Sequence, residues 1–334
     1  IMTIRFFSDK NRPVHLGPYP LERLQRAQAM PDLTKVPPMQ PVSFRRPDAP
    51  TSLVNAMGEY QAMLDAIRDG LVNKARAGCP DDPRDRANHL KGFGYFSDAS
   101  MVGICELPPA GLLAEPFRNA DIDRLAEDLR TRQTKTLASG IDMIMADLKE
   151  SMEAPPTTID GHTHALVFVY EYPRDPGANE PGAEWIMDAQ AARACLCASE
   201  TAVVIANYIR LLGFDARAHT GASSDVDLNR LTVAAGLATV EDGSLGNPYL
   251  ANPYLGSRFG VAAVTTDFVL AADRPLAPLG LQPRSRTHGM AWRLGAGFAK
   301  NAFNREPFAK RRYVDGAHPF EKLKRVDDPT TFID

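Results

Sequence analysis

The stretch from Gly161 to Pro278 constrains this chain more than any other, because unbroken apolar runs alternate there with one long periodic segment. Ala165-Leu-Val-Phe-Val-Tyr170 has strand length and no polar interruption, the pattern of a strand covered on both faces. A loop rich in Pro and Gly follows, Pro173 to Gly182. Ala189 to Leu212 has helical periodicity, and Gly213 is its expected stop, since Gly takes the left-handed conformation that closes a helix at little cost. Phe214 to Thr220 reads as a second strand. Asp225 or Asp227 is placed to cap a short helix through Ala235. Gly243 to Gly256 is rich in turn residues and holds Asn-Pro-Tyr-Leu twice. Gly260 to Thr266 reads as a third strand.

Upstream, helical spacing is expected from Asp48 to Lys74, with Leu53, Met57, Tyr60, Leu64, Ile67 and Leu71 recurring on one face. Asp85 to Phe96 reads as a helix and Met101 to Cys105 as a short strand. Ile122 to Leu129 and Thr136 to Met152 read as two more helices. Alternating helices and strands predict a mixed α/β or α+β layered fold. The flanks differ from this core, 51–280. Residues 1–50 are rich in Pro and Arg with little periodicity, as in an extended arm. Residues 281–334 are basic with interleaved aromatics, and are read as a connector or tail rather than a nucleic-acid surface, because the chain as a whole carries a net charge of -3.

Composition narrows the class further. An apolar fraction of 44% supports a real core. No apolar run is expected to be long enough to cross a bilayer, and no secretory leader is visible, so the expected location is the cytoplasm. The four cysteines, Cys79, Cys105, Cys195 and Cys197, lack the close spacing that iron–sulfur clusters need. This chain is not expected to hold such clusters itself.

Three constellations bear on chemistry. His162 and His164 alternate ahead of an apolar run, so on a strand both imidazoles would share a face and could meet one metal, with Asp160 or His219 as a third ligand. The competing reading is two polar residues leading into a buried strand. Cys195 and Cys197 lie two apart on a helix, face different directions, and are read as small core residues. Tyr170, Tyr172, Arg210 and Arg217 put phenols and cations in the same stretch, and a nearby cation eases deprotonation of a phenol. Core packing is the alternative for the tyrosines.

In order along the chain, several segments resemble one family. Leu90-Lys-Gly-Phe-Gly-Tyr-Phe-Ser-Asp-Ala-Ser-Met-Val-Gly-Ile104 resembles an early segment of the corrinoid-dependent reductive dehalogenases, one shared with epoxyqueuosine reductases. Ile205-Ala-Asn-Tyr-Ile-Arg-Leu-Leu-Gly-Phe-Asp-Ala216 resembles their helix ending in Arg-x-Leu-Gly. Val233-Ala-Ala-Gly-Leu237 resembles their Ala-Gly-Leu-Gly stretch. Asn252-Pro-Tyr-Leu-Gly-Ser-Arg-Phe-Gly-Val-Ala-Ala-Val-Thr-Thr-Asp267 resembles the loop and strand beyond it. The resemblance implies a nitroreductase-like sheet flanked by helices, with a corrinoid over one side. It implies reductive carbon–halogen cleavage, with cobalamin and 4Fe-4S clusters, and a Tyr assisted by a basic residue as proton donor, the role for which Tyr170, Tyr172, Arg210 and Arg217 are weighed.

The corrinoid-loop positions would be Gly236, Leu237, Gly243, Asn252 and Tyr254. Here the family pattern is eroded: its second Gly is Ala238, and Glu241-Asp242 stands in place of a Gly-Arg pair. Side chains then fill space that a flat cofactor needs, and acids approach its phosphate. The positions are therefore read as vestigial. The resemblance is strongest to the cofactor-free N-terminal core repeat of the long cytoplasmic reductive dehalogenases, whose partner is the catalytic core, in the same polypeptide or a second copy. Two alternatives stay open: a functional corrinoid-binding enzyme with its clusters on another chain, and a metal-dependent enzyme using His162 and His164.

Overall fold

The computed structural model describes residues 13–132, 158–172, 179–182, 189–243 and 247–282. Its centre is a four-stranded antiparallel sheet in the order β1 (Met101–Glu106), β3 (His164–Glu171), β8 (Phe259–Thr266) and β4 (Ala216–His219). The strand read from the apolar run is the inner strand β3. It pairs with β1 through Met101 and Val169, and with β8 through Leu166 and Val264. Because both its neighbours are strands and both its faces are covered, every residue from His164 to Tyr170 is buried, which accounts for the absence of polar alternation. All three pairings are antiparallel, so helix and sheet are mixed without parallel crossover units.

The helix α4 (Gln190–Leu211) lies across one face of this sheet. Its stop is the one expected. Gly213 has φ +86, its amide donates to the Arg210 carbonyl at 3.0 Å, and the Phe214 amide donates to Ile209 at 3.3 Å. The alanines Ala194, Ala198, Ala202 and Ala206, one turn apart, are all buried and let the helix backbone come close to the sheet. A Cβ at Gly260 of β8 would stand 2.6 Å from the carbonyl carbon of Ala194 and from the amide of Cys195. This face also holds α2 (Pro83–Phe96), started by the Asp82 side chain accepting from the Arg84 amide, and the buried Leu90, Tyr95 and Phe168.

The other face is covered by α5 (Leu228–Ala234), by the arm, and by Leu231, Val233, Leu237, Leu21 and Leu24 packed on Val167 and Val169. Of the two aspartates proposed as the cap of α5, Asp227 does it, accepting from the amides of Asn229 and Arg230. The arm residues described here make short 3-10 turns and bury Leu21, Leu24, Leu33, Val36 and Phe44.

Several expectations need correction. The first helix, α1, runs from Leu53 to Ala66, capped by Ser52, and is shorter than the spacing suggested. Its inward face is turned from the expected stripe. Val54, Gly58, Gln61, Ala62, Asp65 and Ala66 are buried, Met57, Leu64 and Ile67 of the stripe are half-buried against the core, while Leu53 and Tyr60 are exposed and Leu71, beyond the helix, is 93% exposed. Small residues and hydrogen-bonded polar groups allow close packing there, which outweighs the apolar count.

Four strands were not expected: β2 (Leu112–Phe117) with β5 (Ser224–Val226), and the hairpin β6 (Thr239–Asp242) with β7 (Pro248–Ala251). They are short and rich in turn-forming or exposed residues, so alternation does not reveal them. The helix expected at Ile122–Leu129 is α3 (Asp121–Arg132). The helix expected at 136–152 lies outside the described residues, as does the basic tail beyond 282. Contrary to expectation, α4 is long and apolar enough to cross a membrane by length and composition. Its packing across the sheet accounts for that composition.

Candidate functional site

The loop positions singled out from the sequence come together on the face of the sheet away from α4. Gly236 has φ +66, and a Cβ there would run into the Arg274 carbonyl and the Arg26 guanidinium. Leu237 is buried. Its carbonyl accepts from Asn252 Nδ2 at 2.5 Å, while Asn252 Oδ1 accepts from the amides of Tyr254 and Leu255 at 2.7 and 3.2 Å. Buried Asn252 therefore holds the turn after β7 against the segment after α5. Gly243 is at the hairpin end, its amide donating to the Asn247 carbonyl at 3.0 Å.

The space beside these residues is taken by the chain's own arm. Arg26 Nη1 donates to the carbonyls of Gly236 and Arg274 at 2.8 and 2.9 Å, and Nη2 donates to Leu21 at 3.1 Å. Burial lowers the guanidinium pKa, partly opposed by the Asp273 charge. Tyr254 donates to the Pro20 carbonyl at 3.1 Å and stacks on Tyr19 at 5.6 Å between ring centres. Tyr19 in turn donates to Glu171 at the end of β3. The arm also adds a short backbone ladder: the Ala27 amide donates to Pro275 at 2.8 Å and the Ala277 amide to Gln25 at 3.0 Å. Sequence reasoning missed this cover. Nothing local in Tyr19–Ala27 says which surface it meets.

The histidines part company. His162 Nδ1 lies 2.7 Å from Thr265 Oγ1, with its Nε2 3.2 Å from Asp215 Oδ2. His164 Nδ1 instead meets Thr163 Oγ1 at 2.8 Å, and burial lowers its pKa. The residue brought to His162 is His219, whose Nε2 meets the same Thr265 hydroxyl at 2.8 Å. Among the described residues no group of three His, Cys, Asp or Glu is arranged to hold a metal, and Asp160 is exposed. Two acid–imidazole pairs converging on one hydroxyl have the connectivity of a nucleophile relay. Thr265 and His219 are 0% exposed, however, so no substrate reaches that oxygen.

The remaining candidates are structural. Tyr170 bonds Thr201 Oγ1 at 2.6 Å and the Ser97 carbonyl inside the core. Arg210 donates to the Ala216 carbonyl at 2.8 Å. Arg217 grips Asp69 and Asp225. These cations therefore serve neighbours other than Tyr170. Burial pushes the Cys195 thiol up to about 11 and the Cys105 thiol up to about 12, which makes poor nucleophiles of both. A cleft of 320 Å³ lined by Phe44, Arg46, Asn55, Glu59, Asp121 and Arg124 mixes both signs of charge and selects neither.

No protein-family model and no curated protein matches the sequence. Solved structures do. A catabolic reductive dehalogenase, NpRdhA, is 36% identical over 83% of this chain and 32% of its own, with a TM-score of 0.60. A reductive dehalogenase whose structure suggests a mechanism for B12-dependent dehalogenation is 36% identical over 84% of this chain and 33% of its own, with a TM-score of 0.61. The catabolic enzyme in complex with 3-bromo-4-hydroxybenzoic acid is 33% identical over 90% of this chain and 36% of its own, with a TM-score of 0.63. The chain spans about a third of the length of the proteins it matches.

Proposed function

We propose, from the premise that this chain is reductive dehalogenase-like, that it is the supporting N-terminal core of a cobalamin-dependent reductive dehalogenase. In this reading the helix-flanked sheet is a nitroreductase-like core without a cofactor of its own. Residues 1–50 are its arm, 51–280 the core and 281–334 a connector. The partner is a catalytic core, in the same polypeptide or a second copy, which carries the cobalamin and the 4Fe-4S clusters and cleaves the carbon–halogen bond. The location is the cytoplasm, and neither nucleic acid nor membrane is a partner.

The observation that carries the reading is the arm lying over the loop. Gly236, Leu237, Asn252 and Tyr254 are the residues that a corrin would approach, and all four are engaged within the chain. Arg26 and Tyr19 stand beside Gly236 and Tyr254, and in this reading they occupy the side from which a planar ligand would approach. Exposed Leu53, Tyr60 and Met63 on α1 add support, since a supporting domain needs a surface to bury against its partner.

The test is titration of the purified chain with cobalamin, followed by gel filtration and visible spectroscopy. The expected result is a colourless protein fraction with the corrinoid eluting free. Stoichiometric retention of the corrinoid would overturn the cofactor-free reading. It would favour the alternative, a corrinoid-binding oxidoreductase whose clusters lie on another chain.

A further inference from the structure

We infer that His162, Thr265, His219 and Asp225 form a directed hydrogen-bond chain, with the Asp215 carboxylate beside its His162 end, that latches the edge strand β4 at neutral pH and releases the turn Thr220–Asp225 in acid. The direction follows from the partners. The Asp225 amide donates to His219 Nδ1 at 3.2 Å, so that nitrogen carries no proton. His219 therefore holds its proton on Nε2 and donates it to Thr265 Oγ1 at 2.8 Å. The buried Thr265 hydroxyl has one proton to give, and His162 Nδ1, at 2.7 Å, is its acceptor. His162 must then be protonated on Nε2, which faces Asp215 Oδ2 at 3.2 Å.

These residues come from four separate places. His162 precedes β3, Thr265 lies in β8, Asp215 and His219 bracket β4, and Asp225 lies in β5. In this sheet β4 pairs with β8 alone. The latch therefore fixes the free side of the sheet to the turn beyond it. That turn continues inward through Thr220, which donates to Asp65 at 2.6 Å.

An added proton breaks the order at His219. On His219 it would sit on Nδ1, opposite the Asp225 amide, donor against donor. The groups facing His219 are Asp225 Oδ2 at 3.4 Å and two guanidiniums already bound to that oxygen, Arg68 at 3.0 Å and Arg217 at 3.3 Å. Asp69 holds the far side of Arg217. Burial, then these two cations and His162, keep the His219 pKa well below its ordinary value. On the far side of Thr265, His162 Nδ1 is the acceptor of its hydroxyl, with Asp215 as the facing acid. Losing the order at His219 forfeits a bond inside a closed interior.

The test uses the full chain labelled with 15N. Histidine spectra at about pH 7.5 are expected to show the Nε2–H tautomer for both His162 and His219. Hydrogen exchange, corrected for intrinsic rates, is expected to quicken about tenfold at residues 216–226 relative to β3 between about pH 7.5 and pH 5. In Thr265→Val that relative pH dependence is expected to shrink. An Nδ1–H tautomer on either histidine overturns the proposal. So does relative exchange at 216–226 that is unchanged by pH in the unsubstituted chain.

Discussion

Tyr254 donates its hydroxyl hydrogen bond to the carbonyl of Pro20 at 3.1 Å, across 234 positions of sequence. Beside it Arg26 bonds three carbonyls, those of Gly236, Arg274 and Leu21. Donors on both sides of the contact thus meet neutral carbonyls. The Arg26 bonds involve a charged donor and are stronger than neutral ones. Arg26→Ala is expected to cost about 2 kcal/mol in urea denaturation, with Arg26→Lys recovering part. A cost below about 0.5 kcal/mol would mean that the arm is not clasped in solution.

Gly236 and Gly256 both have left-handed backbone, at φ +66 and +69, but differ in surroundings. A Cβ at Gly236 meets the Arg274 carbonyl and Arg26, whereas at Gly256 it meets open space. Gly256→Ala is expected to cost about 1 kcal/mol from conformation alone. Gly236→Ala should cost at least about 2 kcal/mol, because backbone must also move. Equal costs in thermal or chemical melts would refute the crowding.

The approach of α4 to the sheet yields a second pair. Gly260→Ala places a methyl group 2.6 Å from helix backbone and is expected to cost roughly 2 kcal/mol or more. Gly161→Ala, with nothing within 4 Å, should be neutral within about 0.5 kcal/mol.

Asp65 is buried in α1 and accepts from Gln61, Asn119 and Thr220. Burial nevertheless raises its pKa to about 6. A folded-state pKa above the unfolded one means that the native state binds more protons between about pH 4 and 6. Asp65 therefore contributes stability in acid, and that contribution falls as pH rises through this window. The stability of Asp65→Asn relative to the parent should improve by roughly 3 kcal/mol from about pH 4 to pH 7, read from denaturant midpoints. His219 has the opposite sign. Its folded pKa is depressed, so its contribution is present above about pH 6.5 and is lost as pH falls. A flat difference for Asp65→Asn would exclude the raised pKa.

Tyr60 and Leu71 are 65% and 93% exposed. Tyr60→Glu and Leu71→Glu are expected to leave the stability of the chain within about 0.5 kcal/mol of the parent. If this face meets the catalytic core, the same changes should weaken co-purification with it. Destabilisation of the isolated chain would show instead that the stripe packs within this chain.

The sequence alone determined β3, α4 and β8, because each is announced by neighbours in the chain. An uninterrupted apolar run, a helical period ended by Gly213, and a second apolar run are local patterns, and local sterics and burial enforce them. Asp227, one of the two aspartates offered as the cap of α5, was legible in the same way. Tertiary structure decided how far the inward face of α1 is turned from its apolar stripe. Periodicity counts apolar residues but does not say that Gly58 must admit Phe44, or that Asp65 will find three donors. It also decided that His162 would meet His219 through Thr265 rather than join His164, since that choice depends on the pairing of β4 with β8. The arm over Gly236 and Tyr254 belongs with these. Its bonds join segments more than two hundred residues apart, and such bonds exist only once the sheet between them has formed.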